Sequence, residues 1–122
     1  MKNVTIYHNP KCSNSRGALA LLESKGIKPT VVEYLKTPLS KPQLKKLAAA
    51  LKATAGKDWP GLRDGMLRTK EPAYAELGLK DASDDELLAA VAEHPGLLNR
   101  PIVTTPKGAV LGRPPETVSR LL

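Results

Sequence analysis

The segment NVTIYHNPKCSNSRGALALLESKGIKPTVVEY, residues 3–34, decides the fold of this chain. β-Branched and aromatic residues predict a strand at Asn3–Tyr7 and another at Thr30–Tyr34. Between them, His8-Asn9-Pro10 breaks the first strand, because proline lacks an N–H and asparagine favours turns. Leucines and alanines at helical spacing then predict a helix that Ser13 or Asn14 caps and that ends at Lys25-Gly26. Strand, helix and strand in this order predict a βαβ unit with parallel strands.

The middle of the chain has helical spacing. Ser40 is a predicted N-cap, and the helix behind it carries an apolar stripe of leucines. Shorter helices are predicted at Leu62–Lys70 and Pro72–Leu77. Ser83 precedes three acidic residues, which is typical of another helix start.

The end of the chain returns to strands. Ile102–Thr105 and Ala109–Leu111 flank a Pro-Lys-Gly turn and predict a β-hairpin, and residues 112–122 predict a final helix with proline near its start. The order is therefore βαβ, a helical insertion, then ββα. This α/β order resembles the thioredoxin/glutaredoxin fold, with a mixed four-stranded sheet.

Length and composition restrict the class of protein. The 122 residues fit one domain, which we assign to residues 1–122. The single cysteine excludes an internal disulfide, the first residues lack the apolar stretch of a signal peptide, and no run approaches a membrane span. We therefore expect a cytoplasmic protein with no membrane association.

The formal net charge of +7 is unevenly distributed, with +8 on residues 1–61 and −1 on residues 62–122. An excess of cations in one half has two interpretations: a solvated surface, or attraction of an anionic partner. Four scattered aromatic residues make no stacking platform, so we expect no nucleic-acid partner.

Cys12 is the strongest candidate for chemistry. A lone cysteine is commonly an inert buried hydrophobe, but PKCSNSR, residues 10–16, is polar and turn-like. A cysteine at a helix N-terminus meets unsatisfied N–H groups and a partial positive charge, which favour the thiolate. Arg16 lies one helical turn away, and Ser15 adds a small polar group that could help to hold an oxyanion.

The two histidines have open roles. His8 could tune the thiol or move a proton, and it could equally be a structural turn residue. His94 precedes a proline at a helix end and is expected to be a cap or surface residue. One cysteine and two distant histidines make no ligand pattern, so we expect no metal.

Three arginines have unusual sequence neighbours. Arg100 and Arg113 each precede a proline, and Arg68 ends a short helical stretch. Each could be an ordinary surface residue. If Arg100-Pro101 is the X-Pro bond, cis or trans, that begins a thioredoxin-like strand, the Arg100 side chain points at Cys12. Guanidinium groups offer planar sets of donors for a tetrahedral oxyanion.

The segment YHNPKCSNSR, residues 7–16, resembles the active-site signature of the arsenate reductases that use glutathione and glutaredoxin. Further matches run in order along the whole chain: EYLKTP at 33–38, LR at 67–68, EP at 71–72, ELGL at 76–79, NRPIV at 99–103 and GRP at 112–114. The chain ends soon after the last match and is most similar to the short chromosomal, arsenate-reductase-like subgroup. KDWPG at 57–61 departs from the pattern.

The resemblance implies a mechanism. Cys12 attacks arsenate, His8 helps to keep Cys12 ionised, and three arginines bind the oxyanion: Arg68, Arg100 and Arg113. Glutathione is then a co-substrate that attacks the arsenic adduct, and glutaredoxin releases arsenite, as in arsenic detoxification. No bound cofactor is implied. Because the chain has no second thiol, reducing equivalents must come from outside it.

Two other functions compete with arsenate reduction. One is a glutathione-dependent thiol oxidoreductase that acts on another substrate through Cys12. The other is a transcriptional regulator of the same fold that binds RNA polymerase. Such regulators use a Cys-x-x-Cys switch, and Ser15 occupies the second position here.

Overall fold

A computed structural model describes residues 2–122 of the chain. Their contacts separate into two compact units. The first comprises the residues up to Thr37 together with Arg100–Leu122, and the second is Pro38–Asn99. The assignment of residues 1–122 to one domain stays a prediction.

The first unit contains a mixed four-stranded sheet. Its strands are β1 (Thr5–Tyr7), β2 (Thr30–Val32), β3 (Ile102–Thr105) and β4 (Gly108–Leu111), in the spatial order β2-β1-β3-β4. β1 pairs in parallel with β2 and antiparallel with β3, and β3 and β4 form the hairpin. The predicted βαβ and ββα units and their mixed sheet are therefore confirmed.

The first two strands are shorter than predicted. Asn3 has a left-handed φ of 60°, so extended pairing begins only at Thr5. β2 ends at Val32 because Glu33 starts a turn, in which its carbonyl accepts from the N–H groups of Lys36 and Thr37.

Helix α1 (Ser13–Ser24) follows β1 directly. Its N-cap is Cys12 itself, with extended backbone and no side-chain cap, so the prediction of a Ser13 or Asn14 cap was wrong. The helix ends as predicted at Lys25 and Gly26, and Gly26 has a φ of 73° that favours glycine. The nucleophile candidate therefore occupies the junction between β1 and α1.

One face of α1 packs into a core shared with the sheet and with the last helical segment of the chain. That last segment, Pro115–Leu121, is a 3-10 helix and not the regular helix that the sequence predicted. The core of this unit is aliphatic, as expected for a chain without phenylalanine, and is formed by Val4, Ile6, Ala18, Leu22, Ile27, Val103 and Val118. This packing fixes the start of α1 relative to the carboxyl end of β1.

The second unit is helical. Its α-helices are α2 (Lys41–Ala55), α3 (Leu62–Met66), α4 (Pro72–Glu76) and α5 (Asp84–Glu93), and its short 3-10 turns are Gly56–Asp58, Leu79–Asp81 and Pro95–Leu97. Ser40 and Ser83 each form a capping box, in which the serine hydroxyl accepts from the N–H three residues on. Both predicted helix starts are confirmed.

Helix α3 is shorter than the predicted Leu62–Lys70. Leu67 takes an extended conformation and forms an isolated antiparallel bridge with Leu98, which ends the helix at Met66. Arg68 then donates its N–H to the Leu97 carbonyl at 2.7 Å, so it lies outside the helix.

Among residues 2–122, no helix combines the length and apolarity needed to cross a bilayer.

Candidate active site

Cys12 lies half-buried at the N-terminus of α1. Its N–H donates to the Asn9 carbonyl at 3.0 Å, and its carbonyl accepts from the Arg16 N–H at 3.0 Å. The backbone N–H groups of Asn14 and Ser15 donate to its sulfur. The helix start therefore presents its free donors to the thiol, as the sequence predicted.

Two arginines from the other end of the chain reach the same sulfur. Arg113 Nη1 lies 3.8 Å from Cys12 Sγ and donates to the Arg100 carbonyl at 3.1 Å. The Arg100 side chain also donates to the Cys12 sulfur. The Arg100-Pro101 and Arg113-Pro114 peptide bonds are both cis. Two guanidinium groups thus stand beside one nucleophilic atom.

The local charges favour the thiolate. Burial alone raises the pKa of Cys12, but the N–H of Ser15, the guanidinium of Arg100 and the N–H of Asn14 together hold that pKa below its ordinary value. A thiolate is the nucleophilic form of cysteine. The structure therefore combines a sulfur whose thiolate form is favoured with two cationic side chains.

His8 is buried and contacts residues 9–15, the thiol loop, through Ser15. Its Nδ1 lies 2.6 Å from Ser15 Oγ, a hydroxyl that also accepts from the Asn9 N–H at 3.0 Å. Burial lowers the pKa of His8, Glu33 opposes this shift and Arg16 adds to it. A neutral imidazole is therefore favoured, and its link to Cys12 runs through the Ser15 residue that donates to the sulfur.

The remaining predicted site residues are differently placed. The Ser15 hydroxyl is fully buried and engaged with His8 and Asn9, so its backbone N–H is the group that faces Cys12. Arg16 is exposed, and its Nη1 donates to the Pro10 carbonyl at 2.9 Å. Arg68 belongs to the second unit, and its role in oxyanion binding stays a prediction. Among the described residues, no group of three or more His, Cys, Asp or Glu could hold a metal.

Asn9 is not among the site residues predicted from the sequence. Asn9 is buried, and its side-chain Oδ1 accepts from the Lys11 N–H at 3.0 Å. An asparagine before proline favours turns, and in the sequence this signal indicates only the end of the first strand.

The net charge of the protein resides on the unit that holds Cys12. That unit carries ten Lys and Arg against three Asp and Glu, a net charge of +7. The second unit carries nine against nine and is neutral. The whole cationic excess of the protein therefore lies on the unit that contains the thiol.

Comparison with known proteins gives consistent matches over the whole chain. The model of the ArsC family matches residues 7–121. The chain is 48% identical to an arsenate reductase of Rhizobium meliloti, covering 98% of this chain and 81% of that protein. It is 43% identical to an arsenate reductase of Neisseria meningitidis serogroup A, covering 100% of both.

Solved structures agree with these matches. An arsenate reductase from Vibrio cholerae has a TM-score of 0.90 and 50% identity, with 98% of each chain covered. An arsenate reductase (ArsC) related protein from Brucella melitensis has a TM-score of 0.66, at 18% identity and 98% and 94% coverage, which supports the fold alone. The predicted thioredoxin-like fold with a helical insertion is confirmed.

Proposed function

The chain belongs to the ArsC family, and from this premise we propose that it is an arsenate reductase, an oxidoreductase that converts arsenate to arsenite. The observation that carries the proposal is the placement of Arg100 and Arg113 at the sulfur of Cys12. A cysteine with a purely structural role needs no neighbouring cations. A thiolate that attacks an oxyanion needs groups that lower the pKa of its sulfur and groups that offset the negative charge of the oxyanion.

The first step forms a sulfur–arsenic bond. The Cys12 thiolate attacks the arsenic of arsenate, and one arsenate oxygen leaves as water after taking up protons. Arg100 and Arg113 hold the remaining oxygens and offset their negative charge, and we propose Arg68 as the third arginine of this set. His8 supports the thiolate through Ser15.

The reducing equivalents come from outside the chain, because Cys12 is its only cysteine. The glutathione thiol replaces a second oxygen on arsenic, again with release of water. The glutaredoxin thiol then attacks the glutathione sulfur, a glutaredoxin–glutathione disulfide forms, and the electron pair of the broken As–S bond reduces As(V) to As(III). Hydrolysis of the remaining Cys12–arsenic bond releases arsenite and regenerates the thiol. Free thiols and this external supply suit the cytoplasm.

A coupled assay tests the proposal. The purified protein with arsenate, glutathione and glutaredoxin should drive NADPH oxidation through glutathione reductase. Cys12→Ser should abolish this turnover, and Ser24→Ala, at the other end of α1, should retain it. NADPH oxidation that is equal in wild type and Cys12→Ser would contradict the proposal.

A second outcome would favour the thiol oxidoreductase alternative. In that case arsenate would be inert, while mass spectrometry would detect a Cys12–glutathione disulfide that glutaredoxin resolves.

The proposed role of Arg68 can be tested separately. Arg68→Ala should raise the KM for arsenate. Lys70→Ala, which changes an exposed residue nearby, should leave that KM unchanged.

A further inference from the structure

Asn9 makes three hydrogen bonds within the loop that carries the thiol. Its side-chain Oδ1 accepts from the Lys11 N–H, its carbonyl accepts from the Cys12 N–H, and its own N–H donates to Ser15 Oγ, each at 3.0 Å. Only 7% of Asn9 is exposed to solvent. These bonds lie within the protein, and no substrate group is needed to explain them.

These bonds connect the sheet to the sulfur. The preceding residue, His8, donates its N–H to the Val32 carbonyl at 2.8 Å, which fixes the end of β1 against β2. From that anchor, Asn9 holds Cys12 on one side of the loop and Ser15 on the other. The Ser15 N–H donates to the Cys12 sulfur. Asn9 is therefore hydrogen-bonded to both residues of this contact.

We propose that Asn9 is a positioning residue for Cys12, which holds the sulfur against the N–H groups of Asn14 and Ser15. The side chain acts by closing the turn at Lys11, so that the backbone groups of Asn9 face Cys12 and Ser15 at once. Asn9 touches no reacting atom in this role. The inference concerns the reactivity of the thiol, and only its consequence for turnover rests on the proposed function.

The test uses Cys12 as a built-in probe, because it is the only cysteine in the chain. The rate of alkylation by iodoacetamide is measured against pH for wild type, Asn9→Ala and Asn9→Ser. The pH at which this rate reaches half of its maximum is the alkylation midpoint. Asn9→Ala should raise the alkylation midpoint toward about 8.5, the pKa of a free cysteine. Each unit of that rise lowers the thiolate fraction below the midpoint about tenfold.

The serine variant tests rescue. A serine hydroxyl can also accept from an N–H two residues on, though more weakly, so Asn9→Ser should lie between wild type and Asn9→Ala. Ser24→Ala is the control and should keep the wild-type midpoint. A purely structural Asn9 predicts lower thermal stability with an unchanged midpoint, and that result would overturn the proposal.

Asn9→Ser keeps the test decisive if Asn9→Ala does not fold. Its weaker acceptor for the Lys11 N–H should still raise the alkylation midpoint above that of wild type. A folded Asn9→Ser with the wild-type midpoint would overturn the proposal. If arsenate turnover is absent in wild type while the midpoints shift as stated, the proposed function fails and the role of Asn9 stands.

Discussion

The two units of the protein differ in secondary structure, in net charge and in the residues that could carry chemistry. The unit with Cys12 contains the whole sheet, the only cysteine and the entire net charge of +7, and its catalytic candidates lie where strands and helices end. The helical unit is electrically neutral and depends on capping boxes and leucine stripes. The contacts of Cys12 with Arg100 and Arg113 therefore form where strands and helices end in one unit, whereas the other unit consists of helical elements.

The largest expected effect concerns Arg113, which contacts Cys12 from within the same unit. Arg113→Ala should lower kcat/KM for arsenate about 10²- to 10³-fold, because it removes a charged donor from the developing oxyanion. The coupled assay measures this loss, and Arg120→Ala, an exposed arginine in the same unit, is the matched control. Equal activity of the two variants would contradict the placement of Arg113 at the site.

A pair of leucines compares the stability of the two units. Leu22 in α1 and Leu87 in α5 are both fully buried. Replacement of either by alanine should lower the free energy of unfolding by about 3 kcal/mol, through lost burial and the cavity left behind. Urea unfolding measures the loss.

The same pair shows whether damage to one unit reaches the thiol. Leu22→Ala should also change the pH profile of Cys12 alkylation, since Leu22 lies on the helix that presents the sulfur. Leu87→Ala should leave that profile unchanged. A shift of equal size in both variants would remove the contrast between the units.

A smaller effect is expected at the Ser40 cap. Ser40→Ala removes the hydroxyl that accepts from the Gln43 N–H and should cost about 1 kcal/mol of stability. Thermal unfolding measures the loss, and Cys12 alkylation should be unaffected. Ser24→Ala, an exposed serine outside any N-cap, should cost less, and the reverse order would argue against the capping box.

The smallest expected effect is the pH dependence of stability caused by His8. Its pKa is lowered in the folded protein, so the unfolded chain takes up the proton first as the pH falls. Stability should therefore decrease as the pH drops below about 6.5, the ordinary pKa of histidine. In His8→Gln, melting temperatures across this range should show a weaker decrease, and an identical decrease would exclude His8 as its source.

Local sequence signals predicted most of the fold. The serine caps, the helix stop at Gly26 and the strand Ile102–Thr105 follow from short-range chemistry, and the structure confirms them. The end of α3 was missed because it depends on the bridge between Leu67 and Leu98, which are far apart in sequence. Helical spacing in the sequence had predicted that the helix continues to Lys70.

The candidate site was predictable to a different degree. The position of Cys12 ahead of a helix could be read from a proline and a run of small polar residues. The contacts of Arg100 and Arg113 with that sulfur depend on how β3 and β4 extend the sheet beside β1. The X-Pro bond of a thioredoxin-like strand suggested this placement for Arg100, and the resemblance to a family suggested it for Arg113. The bonds of Asn9 depend on loop geometry that composition does not encode.

The uneven charge also has a kinetic consequence. An anion diffusing in solution experiences the field of the cationic unit before it touches Cys12, over a screening distance of about 8 Å at physiological ionic strength. We therefore expect this unit to attract oxyanions and acidic proteins before any specific contact forms. The rate of such encounters should fall as salt is added. The chemical step at the partly buried sulfur should change far less, because salt screens partly buried groups less than exposed, separated charges.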